Sequence, residues 1–181
     1  MKFQIWIFTG LMGFALITSN VFATEKLERS GFWGGMDLGA GYVQRSFAED
    51  STNFFMGFKG GYTFTPYLLA GLELSGWLFE ASDLHNLFKG EGISQVLYIT
   101  RFYPAQDYGW FAKAGGGYVS HWKNRLGTTQ REEGFGLTFG GGYDFSITRN
   151  WAITPIISYN FSNTDDLDYD ILNFSIGFTF Q

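Results

Sequence analysis

The 181-residue chain contains no cysteine. That excludes a disulfide framework, a thiolate nucleophile, a cysteine-based metal site and a lipid-anchored cysteine. Charge is also scarce. Asp, Glu, Lys and Arg make up 16% of the chain, against about one quarter in an ordinary globular domain, so solubilising surface is in short supply. The net charge of −5 comes with no basic cluster, which argues against a nucleic-acid partner. Beyond the N-terminus there is no long apolar run, so no transmembrane helix is expected in the body of the chain. Aromatics, by contrast, reach 20%. Low charge, many aromatics and no apolar run fit a membrane β-barrel better than a helical membrane protein or a soluble enzyme.

The first 23 residues read as an export signal. Lys2 is the only charge before Glu25, Phe3 to Ile17 is mostly apolar, and Thr18, Ser19 and Asn20 are polar. Val21-Phe22-Ala23 then places small residues where a signal peptidase needs them. The alternative is an uncleaved anchor. A run of about 15 residues, interrupted by Gln4, Thr9 and two glycines, is short for a membrane span. The expected organisation is a signal peptide over 1–23 and one domain over 24–181. Losing Lys2 takes the 12 basic residues to 11 against 17 acidic, a net charge of −6.

The stretch GFGLTFGGGYDFSITRNW, residues 134–151, poses the orientation question. Phe135, Leu137, Phe139, Tyr143 and Phe145 share one parity; Gly136, Thr138, Gly140, Gly142 and Asp144 share the other. A soluble strand would cover its second face with charge, and this one does not. Eight segments have strand-like composition, and seven alternate clearly. They run roughly 31–47, 53–64, 68–79, 93–103, 110–122, 134–145, 151–161 and 171–180. Their apolar faces carry no charge. On 93–103 both faces are partly apolar, and placing Arg101 inward turns Val96, Tyr98 and Phe102 outward. A Lys or Arg facing lipid at mid-depth costs ~2–4 kcal/mol, and every assigned position avoids it. A soluble lipocalin-type barrel also alternates, but its outer face must meet water. Here the opposite face is largely Gly, Ser and Thr.

The connections alternate longer and shorter, with the longer ones at odd positions. The expected long ones span 48–52, 80–92, 123–133 and 162–170 and hold most of the charge; the short ones hold turn residues such as Thr65-Pro66. Outer-membrane barrels pair short periplasmic turns with longer extracellular loops. A Gly-rich element ending in Tyr recurs at Tyr42, Tyr62, Tyr118 and Tyr143. Together with Trp33, Trp110 and Trp151 at one end and Trp77 and Trp122 at the other, these tyrosines are expected to form two interfacial girdles. The small polar face would line a narrow interior.

Inward positions include Asp37, Lys59 and Glu73 on the first three strands and Arg101, Lys113 and Asp144 on the next three. Three acids and three bases inside a barrel must pair. Two ion clusters that plug the lumen are expected, and an eight-stranded barrel is only wide enough for its own side chains. Arg45 shares this face near the outer mouth, where water can solvate it. Pro155 falls inside the seventh strand and cannot donate to a ladder, so a bulge or a missed hydrogen bond is expected there.

These segments carry a resemblance. GFWGGMDLGAGY (31–42), GFGLTFGGGYDFSITRNWAI (134–153) and ILNFSIGFTFQ (171–181) resemble the first strand, penultimate hairpin and closing strand of the small outer-membrane β-barrel proteins, the grouping of OmpA barrels, OmpX and opacity-type porins. The resemblance implies an all-β fold: a closed eight-stranded antiparallel up-and-down transmembrane barrel in a bacterial outer membrane, preceded by a cleavable signal peptide. It implies outer-membrane lipids and lipopolysaccharide as surroundings. It also implies that the barrel-assembly machinery reads the aromatic closing strand during insertion. The chain departs from the pattern in ending on Gln181, with Phe180 one place early. A wall-binding periplasmic domain is not expected.

Some barrels of this size modify lipid A. The candidates here are His85, near Glu80, Ser82 and Asp83, and His121 beside Ser120. Neighbouring residues on a strand point to opposite faces, so Ser120 and His121 do not make a nucleophile–base pair; His121 would meet Glu73 only if the register allowed. Asp165, Asp166, Asp168 and Asp170 crowd the last outer connection but lack the glycine and terminal glutamate of a calcium loop. No cofactor, metal site or catalytic residue is expected. The reading is a monomeric, non-enzymatic surface protein whose outer loops would meet any host or environmental ligand. A narrow porin-like channel and a lipid A-modifying enzyme are the alternatives.

Overall fold

The computed structural model describes residues 28–45, 48–79, 91–125, 128–164 and 168–181. The export signal, His85, Glu80, Ser82, Asp83, Asp165 and Asp166 lie outside these residues, as does the side chain of Arg45. Nine strands form: β1 (Gly31–Arg45), β2 (Ala48–Thr65), β3 (Leu68–Leu78), β4 (Glu91–Phe102), β5 (Trp110–Arg125), β6 (Thr128–Tyr143), β7 (Phe145–Ser146), β8 (Trp151–Thr164) and β9 (Asp168–Phe180). β6 and β7 are two pieces of one strand. Each strand pairs antiparallel with its neighbour, β9 pairs β1, and β6 pairs β8. The result is a closed up-and-down barrel of eight strands with no free edge.

The interruption of the sixth strand has a cause. Pairing with β8 runs to Gly142↔Ile156 and resumes in the same register at Phe145↔Ile153. Tyr143 and Asp144, the two residues skipped, would face Pro155 and Thr154. Pro155 has no N–H to give, and the Asp144 N–H turns instead to the Gly109 carbonyl at 3.0 Å. On the β9 side Pro155 pairs Ile176 without a register shift.

The register sets the tilt. Following directly opposed residues from Trp33 through Gly61, Gly71, Ile99, Gly115, Thr138, Asn160 and Ile171 returns to β1 at Val43, ten residues higher. A stagger of that size over eight strands, at ~3.4 Å per residue and ~4.8 Å between strands, tilts the strands by about 40°. The backbone radius is then about 8 Å, a width that inward side chains fill.

The alternation follows the expected parity. Phe58, Leu72, Tyr98, Phe135, Phe139, Phe174 and Phe178 are exposed on the outer wall, whereas Lys59, Glu73, Arg101, Lys113 and Asp144 are buried. Outward Phe32 and Tyr42 are ten residues apart on β1, or about 26 Å along the axis at that tilt, close to the ~25 Å apolar band of an outer-membrane barrel. Outward rings meet at the end that holds the termini: Tyr62 with Phe32 and Phe64, Trp110 with Tyr143, and Trp151 with Phe178 and Phe180.

Two expectations fail here. Trp33 and Trp77 do not join the girdles; they have inward parity and are buried, because Phe32 and Leu78 take the outward positions beside them. The expected long outer connections are mostly strand. Pairing continues to Arg45↔Ala48, Arg125↔Thr128 and Asn163↔Asp168. A ladder satisfies backbone hydrogen bonds whether its side chains are apolar or charged, so polar composition did not end the strands. The fourth, 80–92, lies almost wholly outside the described residues, which stop at Phe79 and resume at Glu91.

Candidate functional site

The lumen is filled in three tiers. At the end holding the termini, Trp33, Leu69, Leu97, Ile99, Tyr103, Phe111 and Ile156 form one apolar cluster; at the hairpin end, Val43, Phe55, Trp77, Ile93, Val119, Tyr169 and Ile171 form another. Along β1, β2 and β3 the inward charged residues between these tiers are Asp37, Lys59 and Glu73. The small polar lining read from glycine, serine and threonine is there, at Ser75, Thr138, Thr154, Ser158, Ser175 and Thr179 among others, and large apolar and charged side chains fill the space it leaves. Three inward glycines make room for large rings: a Cβ on Gly41 would run into the Trp77 indole, one on Gly57 would press on Phe55 and one on Gly142 on Phe111.

The six inward charges sort by geometry rather than by strand order. Lys59 donates to both carboxylate oxygens of Asp37, at 2.6 Å to Oδ2. Lys113 reaches across β4 to Glu73 and donates to Oε2 at 2.9 Å and Oε1 at 3.1 Å. So Glu73, grouped by sequence with Asp37 and Lys59, bonds a lysine from the other group. Asp144 has no basic hydrogen-bond partner. It accepts from the Tyr103 hydroxyl at 2.7 Å, the Thr154 hydroxyl at 2.8 Å and Gln181 Nε2 at 3.2 Å. Arg101 is fully buried and stacked between rings, its guanidinium carbon 5.0 Å from the centroid of Trp33 and 4.6 Å from that of Phe111. It forms no ion pair with any described residue.

The base of the lumen is closed by groups sequence reasoning missed. Arg29 lies over the Tyr103 ring at 3.8 Å and donates to the carbonyls of Tyr108 at 2.8 Å and Gln106 at 3.3 Å. Gly31, at φ 73°, turns this segment into β1; the left-handed region is one that glycine enters without cost. Gln181, read as an awkward last residue, anchors Asn150 through its backbone and sends its side chain to Asp144. Burial and then the Asp144 carboxylate push the Tyr103 phenol above its usual 10.0.

At the hairpin end His121 does not meet Glu73. Its Nε2 lies 3.1 Å from Glu91 and its Nδ1 3.6 Å from Glu132, with Lys123 2.8 Å from the other Glu91 oxygen. Tyr169 packs on its ring at 5.4 Å. Ser120 points away, and its hydroxyl accepts from Arg131 Nε at 2.8 Å. Asp168 accepts from Asn163 at 2.6 Å. Nothing in this arrangement offers a base to a hydroxyl.

An aromatic belt of membrane height around a filled, tilted eight-stranded cylinder defines a small transmembrane β-barrel. The chain matches the outer membrane protein beta-barrel domain family over residues 9–180 and belongs to it. No curated protein sequence matches it. Among solved structures it is similar to Neisserial surface protein A, at 14% identity and a TM-score of 0.64, over 83% of this chain and 97% of that one. It is also similar to Ail, the attachment invasion locus protein of Yersinia pestis, at 17% identity and a TM-score of 0.53, over 83% and 99%.

Proposed function

We propose that the chain is exported by cleavage after Ala23, inserted as a monomeric barrel of residues 24–181 into a bacterial outer membrane, and works there as a non-enzymatic structural or surface-interaction protein. One observation carries this reading: the lumen is occupied end to end by two apolar tiers and the ionic tier between them. A sealed cylinder leaves its outer wall and its rim as working surfaces. The wall meets membrane lipid and lipopolysaccharide. The rim is made of the described ends of the β1–β2, β5–β6 and β8–β9 hairpins and of β3 and β4 at the same end, and any host or environmental ligand would be met there. The closing strand, with outward Phe174, Phe178 and Phe180, is the segment offered to the barrel-assembly machinery. The six inward charges act as a structural plug. Barrels of similar fold suit such work; Ail was solved in complex with the heparin analogue sucrose octasulfate.

The channel and lipid A-enzyme alternatives are tested together. Purified barrel, shown folded by its mobility shift on boiling in SDS, is added to planar bilayers, and lipid A from overexpressing cells is weighed by mass spectrometry. No discrete conductance steps and no mass change are expected. Reproducible steps would establish a conduit, and a new acyl or deacylated species an enzyme; either overturns the reading.

A further inference from the structure

Among the described residues, buried cationic side chains outnumber buried anionic side chains. Arg29, Lys59, Arg101 and Lys113 face Asp37, Glu73 and Asp144, with His121 held apart at the rim. Lys59 and Lys113 are each bonded to a carboxylate, and Asp144 is committed to Tyr103, Thr154 and Gln181. The surplus falls at the base, around Arg101 and Arg29. There the unpartnered buried polar atoms are mostly donors: Nε, Nη1 and Nη2 of Arg101, Nε of Arg29 and Nε1 of Trp33, with the Thr63 hydroxyl and a single carbonyl-type acceptor, Gln181 Oε1. Asp144 and Asp37 act on the Arg101 charge through space and the Tyr103 hydroxyl also approaches as a hydrogen-bond acceptor, but no acceptor meets Nε, Nη1 or Nη2 in full hydrogen-bond geometry. A guanidinium out of water needs acceptors for its N–H groups.

We propose that Arg101 and Trp33 form a binding site for one small monovalent anion of halide size inside the base of the barrel. The charge surplus is one, which suits chloride better than sulfate or phosphate. Trp33 and Phe111 lie with their rings against the guanidinium, and the buried indole N–H of Trp33 is a second donor without a partner at the same end of the lumen. A cation is excluded by the same donors. The anion completes the charge balance of the plug.

The test refolds the barrel into neutral phosphatidylcholine vesicles in sodium chloride, sodium bromide or sodium gluconate at one ionic strength, and follows urea unfolding by tryptophan fluorescence. Chloride and bromide are expected to raise the midpoint with a saturating dependence on concentration, and gluconate, too large for the site, is not. Arg101→Met is expected to lose the halide dependence entirely. Trp33→Phe keeps the ring and removes one donor, and is expected to weaken halide affinity by about tenfold; it serves if the arginine variant does not fold. Crystals grown in bromide should show an anomalous peak within hydrogen-bonding distance of the Arg101 nitrogens. A midpoint indifferent to halide, an equal response in Trp33→Phe, or water alone against Arg101 in the bromide crystals would overturn the proposal.

Discussion

Replacing Lys113 by methionine removes the hydrogen-bonded partner of the Glu73 carboxylate, which is fully buried on β3 and takes both its hydrogen bonds to side chains from that lysine, and leaves Lys59, opposite it in the ladder but bonded to Asp37, as a neighbouring cation. Methionine fills a similar volume, so the loss is electrostatic. Two estimates converge. Breaking a buried pair by removing one member costs ~3–5 kcal/mol. Alternatively the stranded carboxyl takes up a proton to fold; from an ordinary glutamate value near 4.3, neutralising it at pH 7 costs about 3–4 kcal/mol. The second route gives the sign with pH. The folded variant then binds a proton that the unfolded chain does not, so its stability falls as pH rises, and at pH 5 the penalty shrinks to about 1 kcal/mol. Adding Glu73→Leu removes the stranded group, and the double variant should return to within ~1 kcal/mol of the parent or exceed it. The assay is urea unfolding in vesicles at pH 5 and pH 7 for parent, both single variants and the double. A Lys113→Met penalty below ~1 kcal/mol at pH 7, or a double variant as unstable as the single, would refute the assignment of this pair as sealed from water.

Three further outcomes follow from named contacts. Phe58→Arg places a charge at mid-height on the outer wall and should cost ~2–4 kcal/mol, whereas Thr52→Arg, exposed beside Tyr42 at the rim, should cost at most ~1 kcal/mol; equal penalties would contradict the height assigned to the belt. Gly41→Ala drives a methyl into the Trp77 indole, and overpacking of this kind costs ~1–3 kcal/mol; near-ultraviolet circular dichroism should register the displaced ring. Tyr103 keeps its proton in the folded barrel when the unfolded phenol has lost it, so its contribution is complete below about pH 10 and declines above that. The loss of stability between pH 9 and 11 should be smaller in Tyr103→Phe than in the parent; an unchanged slope would show that the Tyr103–Asp144 bond does not bear on it.

The outer wall was legible in the sequence because lipid imposes one rule on every strand. Phe135, Phe139, Phe174 and Phe178 share parity with no charge among them, and period two then places Lys59, Glu73 and Lys113 inside. Even the doubtful fourth strand yields to Arg101. The inner arrangement was not legible, because parity says which face a residue takes and not what it meets. Glu73 bonds Lys113 rather than Lys59, although Lys59 stands directly opposite it in the β2–β3 ladder, because Lys59 is taken by Asp37 and Lys113 reaches across β4. Trp33 and Trp77 were placed in the girdles from their position near strand ends, although neighbouring Phe32 and Leu78 already held the outward parity; counting parity first would have found both. Residues 123–125 and 128–133 read as loop in sequence because they are polar, a property that does not stop two strands from pairing.

The account stands on which face meets lipid, and the absence of cysteine makes that directly measurable. Single cysteines at 135, 139, 174 and 178, and at 75, 138, 158 and 175, carry a nitroxide label in the vesicle-embedded barrel, and collision rates with dissolved oxygen and with a water-soluble nickel chelate are read for each. The first four should show high oxygen and low nickel accessibility. The second four should show low accessibility to both, as expected for a filled lumen. High nickel accessibility along the second set would mean a water-filled pore, and oxygen accessibility reversed between the sets would mean that the aromatic stripe faces inward.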